Sequence, residues 1–196
     1  KTASKAFQPR MGLYRPHRAL RTSAGLLAGD VVVDGLGGSR FRDLLVVGLI
    51  STDPDRLDRD TIHRYLSEEA YWSLGVPRET VERSIEGSLC FGLYRGSAQA
   101  GFARVVTDAA TVAYLGDVFV LERHRGKGLG VWLVETVLSH PDLAGLRSYM
   151  LFTADAHGLY ERFGFSTPPP DRARRLMTVS HPPEAVYGRG GLRPRR

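Results

Sequence analysis

Val118-Phe119-Val120-Leu121-Glu122-Arg123-His124-Arg125-Gly126-Lys127-Gly128-Leu129-Gly130 is the stretch on which the reading of this chain turns. Four apolar residues suited to a strand lead into a short basic loop with glycines. A helical pattern follows, because Leu129, Leu133, Val134, Val137 and Leu138 fall on one face. Unpaired backbone N–H groups at a helix start form an anion cradle, and the helix dipole adds to it. Arg125 and Lys127 supply two cations, and glycine at 126, 128 and 130 lets a phosphate approach the main chain. A pyrophosphate-sized ligand is the natural occupant. The nucleotide P-loop pattern G-x-x-x-x-G-K-S/T fails, since Gly128 follows Lys127. The dinucleotide fingerprint fits poorly, because the spacing is G-x-G-x-G and the loop follows strands that read as antiparallel. A plain glycine-rich turn is the simpler alternative.

Working outward, Leu44–Ile50 is a seven-residue apolar run closed by Ser51, Asp53 and Pro54, which predicts a buried strand. A helix is expected from about Asp60 to Glu69, and Pro77 opens a second, Arg78 to Glu86. Leu89–Tyr94 and Ala100–Val106 read as strands joined by a hairpin at Arg95-Gly96-Ser97. Thr111–Leu121 is a third strand, and Gly116 within it signals a bulge or the close approach of another backbone. Pro141 ends the following helix. Arg147–Thr153 is a strand, Ala156–Phe163 a short helix, and Arg175–Ser180 a last strand. The order β-αα-βββ-α-β-α-β is a mixed α/β plan.

The chain has 196 residues, net charge +6 and 42% hydrophobic content. That allows one domain with a real core plus tails. Split by segment, residues 1–42 carry net +6, residues 43–182 net −3 and residues 183–196 net +3. The basicity belongs to the ends, so the core is not built to grip a nucleic-acid backbone. The three segments are expected to be a flexible basic N-terminal extension, the folded domain and a flexible basic C-terminal tail. For the first 42 residues, organellar targeting and a functional basic arm are alternatives. The longest apolar run is far short of a membrane span. The single cysteine, Cys90, fits a reducing compartment and excludes a cysteine-based zinc site. A cytoplasmic protein without metal, membrane or nucleic-acid partner is expected, either a monomer or a homodimer.

Two motifs carry a family resemblance. Arg125-x-x-Gly128-x-Gly130 resembles the acyl-CoA signature (Q/R)-x-x-G-x-(G/A) of the GNAT superfamily of N-acyltransferases. Ala156-His157-Gly158-Leu159-Tyr160-Glu161-Arg162-Phe163-Gly164-Phe165 resembles the family's A-x-x-L-Y-x-x-x-G-F. Order and spacing match, and the resemblance spans roughly Leu44 to Ser180.

The resemblance implies acetyl-CoA as acyl donor and a sheet whose two parallel strands, Thr111–Leu121 and Arg147–Thr153, splay apart around the pantetheine arm. It places the pyrophosphate on the amides of Arg125, Gly126, Lys127, Gly128, Leu129 and Gly130, and the arm beside Val118, Phe119 and Val120. A main-chain N–H of that strand would hold the oxyanion. Tyr160 would protonate the departing thiolate as an unidentified amine, of a small molecule or a protein, attacks directly; packing its ring in the core is the other reading. Asp117 is a candidate base or water anchor, or else makes a structural hydrogen bond. Glu122 and His157 are weaker candidates. Glu68, Glu69, Tyr71 and Trp72 lie where the family binds its acceptor, though an aromatic pair also suits core packing. Thr153 stands where many members carry an asparagine on the arm. Cys90 reads as a buried small hydrophobe, not a nucleophile. A non-catalytic CoA-binding module and nucleic-acid binding through the tails are the competing functions.

Overall fold

The computed structural model describes residues 31–33 and 48–188. Six strands form one sheet in sequential order: β1 Val31–Val33, β2 Gly48–Ser51, β3 Leu89–Arg95, β4 Ala98–Thr107, β5 Val112–Val120 and β6 Ser148–Leu151. All neighbours are antiparallel except β5 and β6, which run parallel. Helices α1 Arg59–Glu68 and α2 Arg78–Glu86 follow β2, and α3 Leu129–Leu138 follows β5. After β6 come three short helices, α4 His157–Tyr160, α5 Pro170–Ala173 and α6 Pro183–Tyr187.

Local chemistry sets these boundaries. Asp58 caps α1 by accepting the Thr61 amide, and Pro77 precedes α2 in extended conformation. The β3–β4 hairpin turns on Gly96-Ser97, where φ of +60° at Gly96 is the left-handed value that a tight hairpin needs at its first central residue.

The sheet is covered on both faces. On one, Leu133, Val134 and Val137 of α3 pack on Phe91, Leu93, Ala103, Val105, Ala113 and Leu115. On the other, Ile62, Tyr65 and Leu66 of α1 and Val81 and Ile85 of α2 pack on Cys90, Phe102 and Phe119. This sandwiching explains why the central strands are apolar at odd and even positions alike.

β5 holds the expected bulge. Phe102 faces Phe119 and Arg104 faces Gly116, so Asp117 and Val118 stand opposite the single residue Ala103. Asp117 takes the left-handed conformation, φ +53°, which aspartate tolerates better than most residues. One inserted residue reverses the parity of the strand. Ala113 and Leu115 point toward α3, whereas Phe119 and Leu121 point toward α1 and α2.

Three expectations need correction. Arg175–Ser180 forms no strand: Pro168-Pro169-Pro170 and α5 precede it, and Leu176, Met177 and Val179 lie exposed. Its apolar residues do not alternate cleanly, so neither face would be buried by pairing. Val31–Val33, assigned to a flexible extension, pairs with β2, since three consecutive β-branched residues suit a strand. Pro183–Tyr187, assigned to a flexible tail, is a helix with proline in its first turn and with Tyr187 against the α1–α2 cluster. The rest of both terminal segments, and Leu44–Val47 of the first predicted strand, lie outside the described residues.

Candidate active site

The splay of β5 from β6 organises the site. The two strands pair only from Val112 opposite Ser148 to Leu115 opposite Leu151. β5 runs on to Val120, so Gly116–Val120 has no β6 partner. Leu121 N–H donates to Ala100 O at 2.9 Å on the β4 side. By the alternation of an antiparallel ladder, the polar groups of Phe119 also face β4, and those of Val118 and Val120 face away, into the gap. Phe119 itself is buried against Tyr65, ring centroids 3.9 Å apart, so its side chain stays out of the gap.

The gap leads into the glycine loop. Gly126 and Gly128 both hold left-handed φ, +74° and +78°, and Gly128 is the N-cap of α3. Trp132 N–H donates to Gly128 O. The amides of Leu129, Gly130 and Val131 in the preceding turn have no intrahelical acceptor to reach. They are free to donate to an anion at this helix start. Leu129 contributes its amide alone, because its side chain is core.

Arg125 has partners within the protein. Its own amide is taken by Glu122 O, and its guanidinium donates to Val120 O at 2.8 Å and to Tyr65 Oη at 3.0 Å. The side chain therefore ties the loop to the end of β5 and to α1. Lys127 is exposed, with a long contact from Nζ to Arg123 O at 3.4 Å, and is the more available cation.

Tyr160 ends α4, whose neighbour Leu159 lies against Gly130 at the start of α3. Burial, with Tyr71, Asp155 and Tyr114 nearby, pushes the Tyr160 phenol up to about 12. It therefore stays protonated at every working pH. Thr153 accepts the Ala156 amide at 3.0 Å, which shapes the turn into α4.

Tyr71 and Trp72 sit in the connection between α1 and α2 and reach both arms of the splay. Tyr71 Oη accepts the Ala154 amide beyond β6 at 3.0 Å, and Trp72 Nε1 donates to Asp117 Oδ1 on β5 at 3.1 Å. The rings meet edge to face, 5.0 Å apart. The other Asp117 oxygen accepts Arg104 Nε at 2.7 Å, both side chains being more than four-fifths buried. Both carboxylate oxygens are thus engaged structurally, which disfavours Asp117 as a free base. Glu68, Glu69, Glu122 and His157 are exposed at element ends, and the charge of Glu69 reaches Tyr65 and helps raise its hydroxyl. Cys90 is buried, its thiol pushed up to about 12 by that burial, and it donates to Ile85 O.

Arg104 and Tyr187 were not anticipated. Both line a cavity of about 180 Å³ beside Trp72 and Asp117. A signal existed for each: a lone charge within the apolar strand Ala100–Val106, and Pro182-Pro183 opening a helix. Among the described residues, no helix is long and apolar enough to cross a membrane.

Comparison with known proteins matches residues 59–165 to the family model described as Acetyltransferase (GNAT) family. A candidate acetyltransferase belonging to the GNAT family, from Xanthomonas campestris pv. campestris, is 48% identical in its crystal structure. The match covers 72% of this chain and 97% of that one, with TM-score 0.68. A candidate acetyltransferase of Gibberella zeae is 34% identical over 57% of this chain and 75% of its own length. A candidate acetyltransferase of Clostridium acetobutylicum, crystallised with acetyl-CoA, shares the fold at TM-score 0.52 and 10% identity, over 68% of this chain and 94% of that one.

Proposed function

This chain belongs to the GNAT family of acetyltransferases and is an acetyl-transferring enzyme, and from that premise we propose that it acetylates a primary amine by direct attack within a ternary complex. The observation that carries the reading is the continuity of three features. The unpaired edge Gly116–Val120 runs into the open N-terminus of α3, and α4, which carries Tyr160, packs its Leu159 against Gly130 there.

In this reading the amides of Gly126 to Gly130 receive the pyrophosphate of acetyl-CoA, with Lys127 adding charge. Arg125 acts as a tether and not as a phosphate ligand. The pantetheine arm lies along Val118 and Val120 like an added strand. A gap-facing main-chain N–H of that stretch polarises the thioester carbonyl and stabilises the oxyanion as it forms.

The amine nitrogen bonds to the carbonyl carbon, and the tetrahedral intermediate collapses with cleavage of the C–S bond. The nitrogen proton leaves to water, and the thiolate takes its proton from the Tyr160 phenol, which water reprotonates. A phenol near 12 is a weak acid against a thiol in water, near 8.5. Where the bound arm excludes water, burial raises a thiol as it raises a phenol and narrows that difference. No covalent acetyl-enzyme is formed. Thr153 shapes the loop beside the arm, and Tyr71 and Trp72 form the acceptor side of the cleft, with exposed Glu69 at its rim. The test is amine-dependent thiol release from acetyl-CoA, with intersecting initial-rate patterns when both substrates are varied. Parallel patterns would signify an acetyl-enzyme and overturn the direct route.

A further inference from the structure

The cavity beside the splay has a definite chemical character. Its walls include Leu66, Val76 and Val81, with the aromatic side chains of Trp72 and Tyr187. Its polar part is the Arg104–Asp117 pair. Asp117 accepts from Arg104 on one oxygen and from Trp72 on the other, and its charge is paired with Arg104. Arg104 Nε is on Asp117 and Nη1 on Ser88 Oγ at 3.1 Å, while Nη2 makes no hydrogen bond among the described residues. Nη2 stands 3.6 Å from where a Cβ at Gly116 would be, at the start of the unpaired edge of β5. Arg104 thus brings to the cavity wall a guanidinium whose Nη2 is unused next to the reacting strand, beside apolar walls and a carboxylate whose charge is already paired.

Resting on the acetyl-transfer reading above, we propose that the acceptor is a free α-amino acid with an apolar side chain of modest size. Its carboxylate accepts from Arg104 Nη2, and its side chain lies among Val76, Val81 and Trp72. Its amine, one carbon from the carboxylate, is held beside Val118, where the thioester carbonyl would lie. Polyamines and lysine side chains lack the anion that Arg104 calls for, and the carboxylate in the cavity wall, Asp117, already carries the Arg104 charge. A peptide N-terminus lacks the anion too. A guanidinium set beside the reacting strand favours a substrate whose carboxylate can pair with it over an analogue that lacks the anion.

The test uses the full chain with saturating acetyl-CoA and reads thiol release. L-leucine, L-methionine and L-phenylalanine are compared with 3-methylbutylamine, 2-phenylethylamine, L-leucinamide and spermidine. The expected result is kcat/KM about 100-fold higher for each amino acid than for its decarboxylated or amidated counterpart. Arg104→Lys, checked for folding by retained acetyl-CoA binding, should narrow that ratio to about 10-fold or less, because an ammonium cannot keep Asp117 and also serve the substrate in the same geometry. Equal or faster turnover of the decarboxylated amines, of leucinamide or of spermidine would overturn the proposal. So would the absence of turnover with every amino acid while acetyl-CoA binds, an outcome that leaves the donor site standing. Failure to bind acetyl-CoA at all would instead remove the transfer reading on which the proposal rests.

Discussion

Trp72 donates its indole N–H to Asp117 Oδ1 across 3.1 Å, joining the α1–α2 connection to the bulge of β5. The aspartate stands at left-handed φ, and its other oxygen accepts from Arg104. The bulge that re-aims Val118 and Val120 is therefore held by an indole and a guanidinium, one on each carboxylate oxygen.

Asp117 should behave as a positioning residue. Asp117→Ala leaves the Arg104 charge unpaired in a largely buried site and is expected to cost about 3 kcal/mol, read as a lower urea midpoint. Asp117→Asn, of the same shape, should lose part of that stability and raise the acceptor KM. A general base would give a different pattern, a kcat loss of about 10²-fold or more in Asp117→Asn with the urea midpoint unmoved.

Tyr160→Phe removes the acid and leaves the packing against Phe165. The expected loss in kcat is about 10²-fold, with acetyl-CoA affinity within about a factor of three of the parent. Calorimetry and single-turnover rates separate the two. Unchanged kcat would assign Tyr160 to packing.

The pH profile follows from the direction of the Tyr160 shift. The phenol titrates near 12, so the acid form persists through the whole practical range. The rate should rise as the acceptor ammonium deprotonates, with no falling limb up to about pH 10. A falling limb between pH 8 and 9 that disappears in Tyr160→Phe would contradict this assignment.

Gly128 allows charge to be separated from shape. Asparagine and aspartate both tolerate its φ of +78° better than most residues. Gly128→Asp brings a negative charge to the cradle and should weaken acetyl-CoA binding by about 100-fold, whereas Gly128→Asn should lose far less. Equal losses would mean that backbone strain, not phosphate recognition, is being measured.

Much of this was legible in the residues. Helix α2 was readable to its ends, because Pro77 opens it and Val81 and Ile85 mark its buried face. The Gly116 signal located the bulge, and the two motifs located the loop and Tyr160. Long-range pairings were not legible: nothing local to Asp117 says that Trp72, 45 residues away, and Arg104 occupy both its oxygens. The Arg125 tether was hidden for the same reason, since its partners are a main-chain carbonyl and the hydroxyl of Tyr65. The C-terminal residues misled through composition. Arg175–Ser180 has strand-like residue types but no partner strand, and Tyr187 finds its place only because α1 and α2 provide an apolar wall.

Removing residues 183–196 deletes that wall contact. The truncated chain should keep its acetyl-CoA affinity and show a several-fold higher acceptor KM, because Tyr187 lines the cavity and not the loop. Loss of acetyl-CoA binding on truncation would relocate α6 to the donor site.

The most direct measurement is a calorimetric titration of the full chain and of Gly128→Asp with acetyl-CoA. The predicted result is saturable one-to-one binding by the parent chain, severely weakened in the variant, with a parallel loss of ligand-induced rise in Tm. Absence of binding to the parent chain, or equal binding by a folded Gly128→Asp, would contradict a donor site built on the splayed edge of β5 and the open start of α3.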